Sequence, residues 1–402
     1  MDGKNIAKRL ADLLIDLFNA YYSARSNKRN TYNALKFELH YEHNLIELCD
    51  EIVNRRYEPR PSICFIVNKP VKREVFAADF RDRIIHHLIF NYISPVFEKR
   101  FINDSYSCRK GKGTHFGIQR VNYFIRSCSD NYHNDCYILK MDIQGYFMAI
   151  DRSLLYEMVS RVIIKNSGKI IGDTETILYT IRKTIFNDPV NGCIIKSKMS
   201  EWKGLPPSKS LFYAGKNQGL PIGNLTSQLF ANIYLDEFDH FMKQQLNLKY
   251  YGRYVDDIVV VHPDQYYLKT VIPAVREYLK TKLRLQLHPR KTYLQNYTKG
   301  VVFLGAVIKP YRIYITNRTK GNFYSAIQKQ NEIARHHKPT KEERGKFLTS
   351  MNSYLGIMKH YKTYKLRKGM LFKNLSGWWW NYVYVRGGIA RFTMKGKFKV
   401  FF

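Results

Sequence analysis

The sequence has few acidic residues for its basic content, and it lacks any long hydrophobic run. Asp and Glu number 33 against 66 Lys and Arg, which gives a formal net charge of +33 over 402 residues. No stretch approaches the ~20 consecutive apolar residues that a membrane span needs, so we expect no membrane association. The first ten residues lack the apolar block of a secretory signal, and this predicts a cytoplasmic protein.

Cysteine is scarce and scattered. The six cysteines occupy positions 49, 64, 108, 128, 136 and 193. Their spacing fits neither a zinc site nor the framework of a small disulfide-rich secreted domain, so we expect reduced thiols. Internal repeats, low-complexity linkers and endonuclease, RNase H or protease patterns are missing as well. A chain of this length then predicts roughly two or three domains, or one domain with lobes.

What the sequence does contain is basic and aromatic. Tyr occurs 31 times and Phe 24 times. Basic surface attracts phosphate through counterion release, and aromatic rings stack on unpaired bases. Together these features predict a nucleic-acid-binding protein, with a generically basic soluble protein as the alternative.

Two adjacent carboxylates, Asp256 and Asp257, lie between a Tyr-rich arm and a branched apolar arm. Such arms predict a β-hairpin with the Asp pair at its tip. Unpaired charges are costly in a core, but at a rigid turn they suit hard divalent cations. Because successive strand residues point to opposite faces, we expect Asp256 to be the main ligand, with Asp257 beside it. The alternative is a solvated turn with a chance Asp-Asp.

An earlier apolar strand, 137–143, delivers another carboxylate, Asp142, before a turn at Gly145. A lone Asp at a strand end is usually a cap or a turn residue. Placed side by side in one sheet, however, the two acidic strands would present Asp142 and Asp256 to a shared pair of Mg²⁺ ions. A two-metal site can activate an attacking hydroxyl and stabilise the leaving oxygen of a phosphoryl transfer.

Two loops contain glycines next to functional candidates. In residues 109–113, three cations alternate with glycines and can bring N–H groups and charge onto phosphates. The order is not that of a P-loop, and an ordinary basic turn is the alternative. Residues 218–223 form a Gly-rich turn whose backbone can approach a substrate closely before a long helix begins. Asp236 and Asp239, on that helix, are expected to be structural.

Hydrophobic spacing predicts the surrounding elements. From position 311 onwards, 20 Lys and Arg stand against three Glu. This favours a basic helical lobe that grips a duplex, with a basic surface on an ordinary helical subdomain as the alternative. Trp378, Trp379 and Trp380 are expected to form one rigid aromatic cluster. The spacing predicts helices within 1–57 and over 79–97, 177–186 and 271–283, and strands over 63–67 and 301–305.

Taken in order from about residue 60, these motifs resemble a reverse transcriptase. Asp142 matches the first catalytic Asp of that family, 223–235 its Gly-rich turn and helix, and 254–257 its Tyr-x-Asp-Asp box. Lys291 falls in the following motif, and 303–305 is similar to the primer-gripping hairpin. The resemblance implies a mixed α and β right-hand polymerase fold. Its expected parts are N-terminal helices and fingers (1–135), a palm (136–310, with an insertion at about 165–215) and a basic helical thumb (311–402).

The resemblance also implies the roles of individual residues. Two Mg²⁺ ions, for which Mn²⁺ can substitute, are expected on Asp142, Asp256, Asp257 and the backbone of Ile143. Lys291 is expected to protonate pyrophosphate, unless it is an ordinary surface lysine. The implied nucleotide-binding residues are Lys69, Arg73, Arg109, Phe147, Ile222 and Gly223, and the implied nucleic-acid-binding residues are Lys110, Lys112 and Tyr254. Phe147 is expected to gate against a ribose 2′-hydroxyl, unless it is a core aromatic. The implied partners are template RNA, a primer or cDNA strand, and dNTPs.

The Gly-rich turn departs from most of the family. Most members carry Pro-Gln-Gly and then Ser-Pro, whereas here Pro221-Ile222-Gly223 is followed by Ser227-Gln228. The stretch is similar to the signature of reverse transcriptases of diversity-generating retroelements. These bacterial and phage systems copy a template RNA with frequent errors at adenines, in mutagenic retrohoming. An amide at position 222 can hydrogen-bond the incoming nucleotide, whereas Ile cannot, and losing that bond weakens discrimination.

This second resemblance implies an oligomeric accessory variability-determinant protein as a partner, and it makes Ile222 and Gln228 the candidate fidelity residues. Three alternatives remain. Another bacterial reverse transcriptase, of the retron, group II intron or phage-defence type, is disfavoured by this turn. A primer-independent RNA polymerase is disfavoured by Phe147. A non-catalytic RNA-binding scaffold has no use for three aspartates.

Overall fold

The computed structural model describes residues 3–26, 31–68 and 71–396, with side chains from residue 8 onwards. It separates into two compact units. The first unit holds the described residues up to Arg120 together with Tyr137–Leu294. The second holds Val121–Cys136 and the described residues from Gln295 onwards. No helix among the described residues is long and apolar enough to cross a membrane.

The chain begins with helices whose apolar faces build the first core, as the spacing predicts. Asp79 caps the longest of the later helices by accepting a hydrogen bond from the Arg81 N–H, as N-cap aspartates do. The predicted strand over 63–67 is confirmed, and its neighbour pairs with it antiparallel from Ile63–Ala77 to Val67–Arg73. The elements are α1 (Gly3–Arg25), α2 (Tyr32–Glu38), α3 (Tyr41–Val53), β1 (Ile63–Val67), β2 (Arg73–Ala77), α4 (Phe80–Arg100) and α5 (Thr114–Cys128).

The middle of the chain carries the acidic motifs. A parallel pairing with β1 adds a short third strand to the β1–β2 hairpin. The predicted helices over 177–186 and 271–283 are confirmed within longer helices. The elements are β3 (Tyr137–Asp142), α6 (Tyr146–Ala149), α7 (Arg152–Lys165), α8 (Thr174–Phe186), β4 (Ile194–Ile195), α9 (Leu225–Tyr234), α10 (Asp236–His240), β5 (Tyr250–Tyr254), β6 (Asp257–His262) and α11 (Gln265–Leu283).

Strands β5, β6 and β3 lie in that order in a four-stranded sheet, whose last strand, β7, is Tyr293–Asn296. The residues Ile258, Val259, Val260 and Val261 of β6 are all buried. A strand covered on both faces is apolar at every position, which explains the continuous run in the sequence. Helices α4, α7, α9 and α11 contribute side chains to the same core. The acidic residues at the strand ends therefore stand on a rigid base.

The second unit holds short strands, helices and a terminal hairpin. Its core includes Phe323, Phe347, Met351, Leu371 and Trp379. The expectation of helices beyond 311 is met up to residue 380, after which two paired strands follow. The elements are β8 (Val301–Phe303), β9 (Ala306–Lys309), β10 (Arg312–Ile315), α12 (Asn317–His336), α13 (Lys341–Met358), α14 (Tyr364–Asn374), α15 (Gly377–Trp380), β11 (Val383–Arg386) and β12 (Arg391–Met394).

The prediction that three tryptophans form one cluster is correct for Trp379 and Trp380, which pack in the same core, and wrong for Trp378. Trp379 is buried and stacks on Phe347 at 4.1 Å between ring centroids. Trp380 stacks on Phe372 at 4.9 Å, and Trp378 is 57% exposed. The Phe392 ring lies 5.7 Å from that of Trp380 and 5.2 Å from that of Phe347, and it thereby joins Trp379 and Trp380 in one cluster. The boundaries of fingers, palm and thumb proposed from the sequence stay predictions.

Candidate active site

The predicted acidic hairpin is present at the end of the four-stranded sheet. Strands β5 and β6 pair from Tyr250–Val261 to Tyr254–Asp257, which leaves Val255 and Asp256 in the turn. On the other side of β6, Asp257 is the register partner of Asp142. Directly paired residues of antiparallel strands have Cα atoms within about 5.5 Å. The sheet thus brings Asp142, Asp256 and Asp257 to one edge.

The backbone joins the two acidic strands beyond the last ladder pair. The Ile143 N–H donates to the Asp256 carbonyl at 3.2 Å, and the His288 N–H donates to the Asp142 carbonyl at 2.7 Å. These bonds hold the ends of β3 and of the hairpin turn in register. The Ile143 carbonyl, rather than its N–H group, is the atom available for the metal-binding role predicted for this backbone.

The hairpin turn is strained, and the buried side chain of Arg253 stabilises it. Val255 has φ +55°, a conformation that costs a β-branched residue about 1–3 kcal/mol. The Arg253 guanidinium donates from Nη1 to the Val255 carbonyl at 3.0 Å. It also forms a bidentate ion pair with Asp239, at 2.8 and 2.6 Å, and both side chains are fully buried. The prediction that Asp239 is structural is confirmed.

Two lysines stand against the carboxylates. The Lys291 Nζ lies 3.0 Å from both carboxylate oxygens of Asp142. The Lys140 Nζ lies 3.2 Å from Oδ1 of Asp257. Lys291 was predicted at the site, whereas Lys140 was missed. A signal for Lys140 was present in the sequence, because it precedes Asp142 by two positions and therefore lies on the same face of β3.

Burial and mutual repulsion shape the acidity of the hairpin carboxylates. Burial raises the pKa of Asp256 to about 6, and the negative charge of Asp142 adds to the shift, while Lys291 and Arg73 oppose it. Burial also raises the pKa of Asp257 to about 6 against the opposing charge of Lys140. A carboxylate that is poorly solvated gains more from a nearby cation than a solvated one. The edge of the sheet therefore favours cations.

The donor set fits a hard divalent cation. Carboxylate oxygens are the ligands that Mg²⁺ prefers in proteins, and Oδ1 of Asp257 is a buried atom without a hydrogen-bond partner among the described residues. As the side chains stand, no three carboxylate, thiol or imidazole groups in the described part of the chain are grouped closely enough to hold a metal ion.

The predicted nucleotide-binding residues Phe147 and Ile222 lie in one small apolar cluster. The Leu220 N–H donates to the Phe147 carbonyl at 2.8 Å, and the Phe76 N–H donates to the Ile222 carbonyl at 3.0 Å. Next to Ile222, Gly223 has φ +125°, which favours glycine. The structure thus brings Phe147, which follows β3, together with Ile222 and Gly223 of the Gly-rich turn, and this turn is hydrogen-bonded to β2.

The predicted cationic contacts have different surroundings. Arg73 is exposed at the start of β2, and its positive charge lowers the pKa of Asp256. Arg109 is instead shielded from solvent, with Nε 2.9 Å from Glu98 and Nη1 donating to two loop carbonyls. These contacts are those of a loop anchor, and a phosphate-binding role for Arg109 stays a prediction. Lys69 lies outside the described residues.

The remaining residues, predicted to bind nucleic acid or to set fidelity, are exposed or partly buried. The Lys112 Nζ donates to Asn103 at 2.6 Å, while Lys110 is exposed. Gln228 is exposed on α9. Tyr254 is half-buried, and burial raises the pKa of its hydroxyl. Their roles toward nucleic acid stay predictions.

A family model described as Reverse transcriptase (RNA-dependent DNA polymerase) matches residues 71–308, more than half of the chain. The chain belongs to the reverse transcriptase family. The enzyme class of this reverse transcriptase is therefore RNA-directed DNA polymerase. Its fold class is the mixed α and β right-hand polymerase fold predicted from the sequence.

The reverse transcriptase is also similar to curated proteins and solved structures. It is 24% identical over 295 residues to Protein YkfC of Escherichia coli (strain K12), covering 64% of this chain and 69% of that protein. It is 23% identical over 207 residues to Nuclear intron maturase 1, mitochondrial, of Arabidopsis thaliana, covering 45% of this chain but 28% of that protein. Apo telomerase from Candida tropicalis matches with a TM-score of 0.48 and 11% identity, covering 79% of this chain and 60% of that chain.

Proposed function

We propose that this reverse transcriptase extends a primer strand on template RNA by nucleotidyl transfer at Asp142, Asp256 and Asp257. The observation that carries the proposal is the register of the sheet, which pairs Asp142 with Asp257 and leaves Asp256 in the adjoining turn. Members of the family use divalent metal ions. On this chain the three carboxylates and the Ile143 carbonyl would hold two Mg²⁺ ions, or Mn²⁺ in their place.

Each residue has a separate part in the proposed reaction. When bound, the metal ions supply an acidified primer 3′-hydroxyl and charge compensation for the triphosphate. Arg73, the exposed first residue of β2, binds phosphate oxygens. Phe147 closes the pocket against a ribose 2′-hydroxyl. Lys291, whose Nζ starts 3.0 Å from Asp142, gives a proton to the departing pyrophosphate.

Asp256→Asn tests the chemistry. We expect primer extension on an RNA template with dNTPs and Mg²⁺ to fall to background, with the circular dichroism spectrum and template–primer affinity retained, because Asn keeps the shape but not the charge. Asp264→Asn is the matched control. Asp264 caps α11, and Asn caps helices as well as Asp does, so activity should stay near that of the unaltered enzyme. If the Asp256 variant extended the primer at the same rate as the control, the catalytic role proposed for Asp256 would be wrong.

A finer proposal concerns fidelity. We infer that the enzyme is the error-prone polymerase of a diversity-generating retroelement, cytoplasmic and encoded by a bacterium or phage. Its substrate is a structured template RNA and its partner an oligomeric accessory variability-determinant protein. The observation in support is the partly buried, apolar setting of Ile222, whose side chain offers no hydrogen-bond donor to a nucleotide.

Ile222→Gln tests this proposal. Sequenced extension products should contain fewer misincorporations opposite template adenine, by about tenfold if one discriminating hydrogen bond is restored. Ile171→Gln, the same change at an exposed position, should leave the error spectrum as it is. Unchanged errors in the Ile222 variant would remove that residue from the fidelity argument.

The second candidate is a reverse transcriptase of the intron type, which the likeness to an intron maturase favours. That candidate predicts faithful copying of adenines by the unaltered enzyme. Sequencing of the same extension products separates the two, because errors concentrated opposite adenine support the retroelement and an even, low error rate supports the intron type.

A further inference from the structure

Residues 187–217 have no part in the chemistry proposed above, and we call them the inserted segment. They contain β4 and three 3-10 turns, at Met199–Trp202, Pro207–Lys209 and Leu211–Tyr213. The inserted segment is tied along β1, since the Ile194 N–H donates to the Ser62 carbonyl at 2.8 Å and the Lys196 N–H to the Cys64 carbonyl at 2.9 Å. It thus covers the β1–β2 hairpin.

A buried carboxylate makes the central connection. Glu74 of β2 is 1% exposed. Its Oε2 accepts hydrogen bonds from the Trp202 indole N–H at 2.7 Å and the Ser210 hydroxyl at 2.8 Å. Its Oε1 accepts one from the Leu211 N–H at 2.7 Å. All these donors belong to the inserted segment. Burial of a carboxylate is costly unless such donors meet it, so the position of β2 and that of the segment depend on one another.

Strand β2 reaches the proposed nucleotide pocket on both sides of Glu74. Arg73, the cation proposed to bind phosphate oxygens, directly precedes Glu74 and pairs with Val67 at the start of β2. Two residues after Glu74, the Phe76 N–H holds the Ile222 carbonyl at 3.0 Å. A shift of β2 would therefore move a phosphate-binding cation and the fidelity turn together.

The glycine of the turn shows how closely β2 and the turn approach. A Cβ at Gly223 would lie 2.8 Å from Cγ1 of Val75, closer than real Cβ contacts come. After β3, a Cβ at Gly145 would lie 2.6 Å from the carbonyl oxygen of Ser208, a residue of the inserted segment. The segment thus also abuts the turn that leads from Asp142 to Phe147.

Apolar side chains also connect the inserted segment with β2 and the Gly-rich turn. One small core joins β1, β2, the segment after β3, the inserted segment and the Gly-rich turn. Its buried members are Cys64, Phe76, Met148 and Leu211, and the partly buried side chains packed on them include Phe147, Trp202 and Ile222. Trp202, which donates to Glu74, therefore packs in the same core as both residues proposed to face the nucleotide. In a close-packed core a displaced ring moves its neighbours.

We propose that Glu74 is a positioning residue of the nucleotide pocket, through which the inserted segment sets the affinity for dNTPs and the choice between them. The inference rests on the proposed function of Phe147 and Ile222. Glu74 does not meet the substrate. It fixes β2 against the segment, and β2 in turn holds Arg73 and Ile222 in place. Displacements of about 1 Å at such positions cost up to about a hundredfold in catalysis.

Glu74→Gln tests the proposal with a side chain of the same shape. A Gln amide has one oxygen and one NH₂ group, so at least one of the three donors around it meets another donor. In single-nucleotide extension we expect the KM for the correct dNTP to rise about tenfold and the misincorporation frequency to change several-fold. The template–primer Kd should stay within about twofold, because the thumb and the acidic edge are unaltered.

Trp202→Phe approaches the same network from the inserted segment, removing the indole donor and keeping an aromatic ring. It should raise the dNTP KM in the same direction as Glu74→Gln. The double variant should be little worse than the more affected single variant, because residues that act as one unit are not additive. Glu201→Gln is the matched control. Glu201 is a neighbour in the segment, and its carboxylate accepts from the Lys198 N–H near the surface, so its kinetics should match those of the unaltered enzyme.

The outcomes separate this inference from the proposed function. If Asp256→Asn is inactive while Glu74→Gln and Trp202→Phe keep the control's dNTP KM and error frequency, the positioning role is overturned and the chemistry stands. Lower melting temperature with unchanged kinetics overturns it as well, because that is what a purely structural role predicts. Should Glu74→Gln fail to fold, Trp202→Phe and Ser210→Ala, which each remove one donor, decide the question by the same kinetic criteria.

Discussion

Arg253→Lys is the most informative single change in the acidic hairpin, because it keeps the buried charge and removes its geometry. The guanidinium makes two hydrogen bonds to Asp239 and one each to Val255 and Ser105. A lysine ammonium has three donors and cannot reproduce the planar fork. An ammonium lacks a donor for at least one of these four bonds and cannot span both Asp239 oxygens as the fork does; a loss of two charge-assisted bonds at about 1.5 kcal/mol each lowers the free energy of unfolding by about 3 kcal/mol.

The same change should reduce catalysis in molecules that remain folded. The bond from Nη1 to the Val255 carbonyl holds a strained residue next to Asp256. Without it the turn can relax toward an unstrained conformation, and Asp256 moves with it. A displacement of about 1 Å of a reacting group costs about a hundredfold in kcat.

The assay compares urea unfolding, followed by circular dichroism, with primer extension at a temperature at which the variant is folded. Arg161→Lys is the matched control, since Arg161 is 56% exposed and pairs with Glu157 and Glu237 at the surface. Exposed pairs contribute at most about 1 kcal/mol. Equal unfolding midpoints for the two variants, or full activity of folded Arg253→Lys, would refute the role of Arg253 under the turn.

Two further predictions concern stability. Gly252→Ala should lower the free energy of unfolding by about 1–3 kcal/mol in urea titrations, because the new Cβ would lie 2.2 Å from the hydroxyl oxygen of buried Tyr106; an unchanged midpoint would show that the ring has room to move. Burial raises the pKa of Asp82 to about 6, so the folded state keeps its proton longer than the unfolded state, and stability falls as the pH rises from about 4 to about 6. Asp82→Asn should remove this pH dependence. The free energy of unfolding of the variant should therefore rise relative to that of the unaltered protein by up to about 3 kcal/mol as the pH increases across that range. If urea titrations give the same difference in unfolding free energy between the two proteins at every pH, the raised pKa of Asp82 is contradicted.

The parts of the fold that depend on local pattern could be predicted from the sequence. The Tyr-rich arm and the branched apolar arm on either side of the Asp pair predicted the hairpin, and short apolar runs predicted β1 and β3. Placing two acidic strand ends in one sheet predicted Asp142 beside Asp256, whereas the register pairs Asp142 with Asp257 and leaves Asp256 in the adjoining turn. In each case the signal lies within a few residues, so tertiary contacts reinforce it and do not override it.

What could not be predicted depends on partners distant in the chain. In the sequence, Arg253 cannot be distinguished from the many other basic residues of the chain. Its burial depends on the ion pair with Asp239. Nothing in the local sequence marks Glu74 as buried. The first of the groups that donate hydrogen bonds to it, Trp202, lies far along the chain. Arg109 matched a family motif, yet Glu98 and two carbonyls engage its guanidinium. The charge of a side chain is visible in a sequence, but its solvation is not.

Under the proposed function, the contacts of Lys291 with Asp142 and of Lys140 with Asp257 would make metal binding an exchange of counter-ions. The two ammonium groups already offset much of the negative charge of the carboxylates. Both lysines would have to release carboxylate oxygens before those oxygens could bind a divalent ion, and this release would weaken the apparent affinity for free metal. A triphosphate would offer the displaced ammonium groups new anionic partners. Metal and nucleotide would then bind more tightly together than separately.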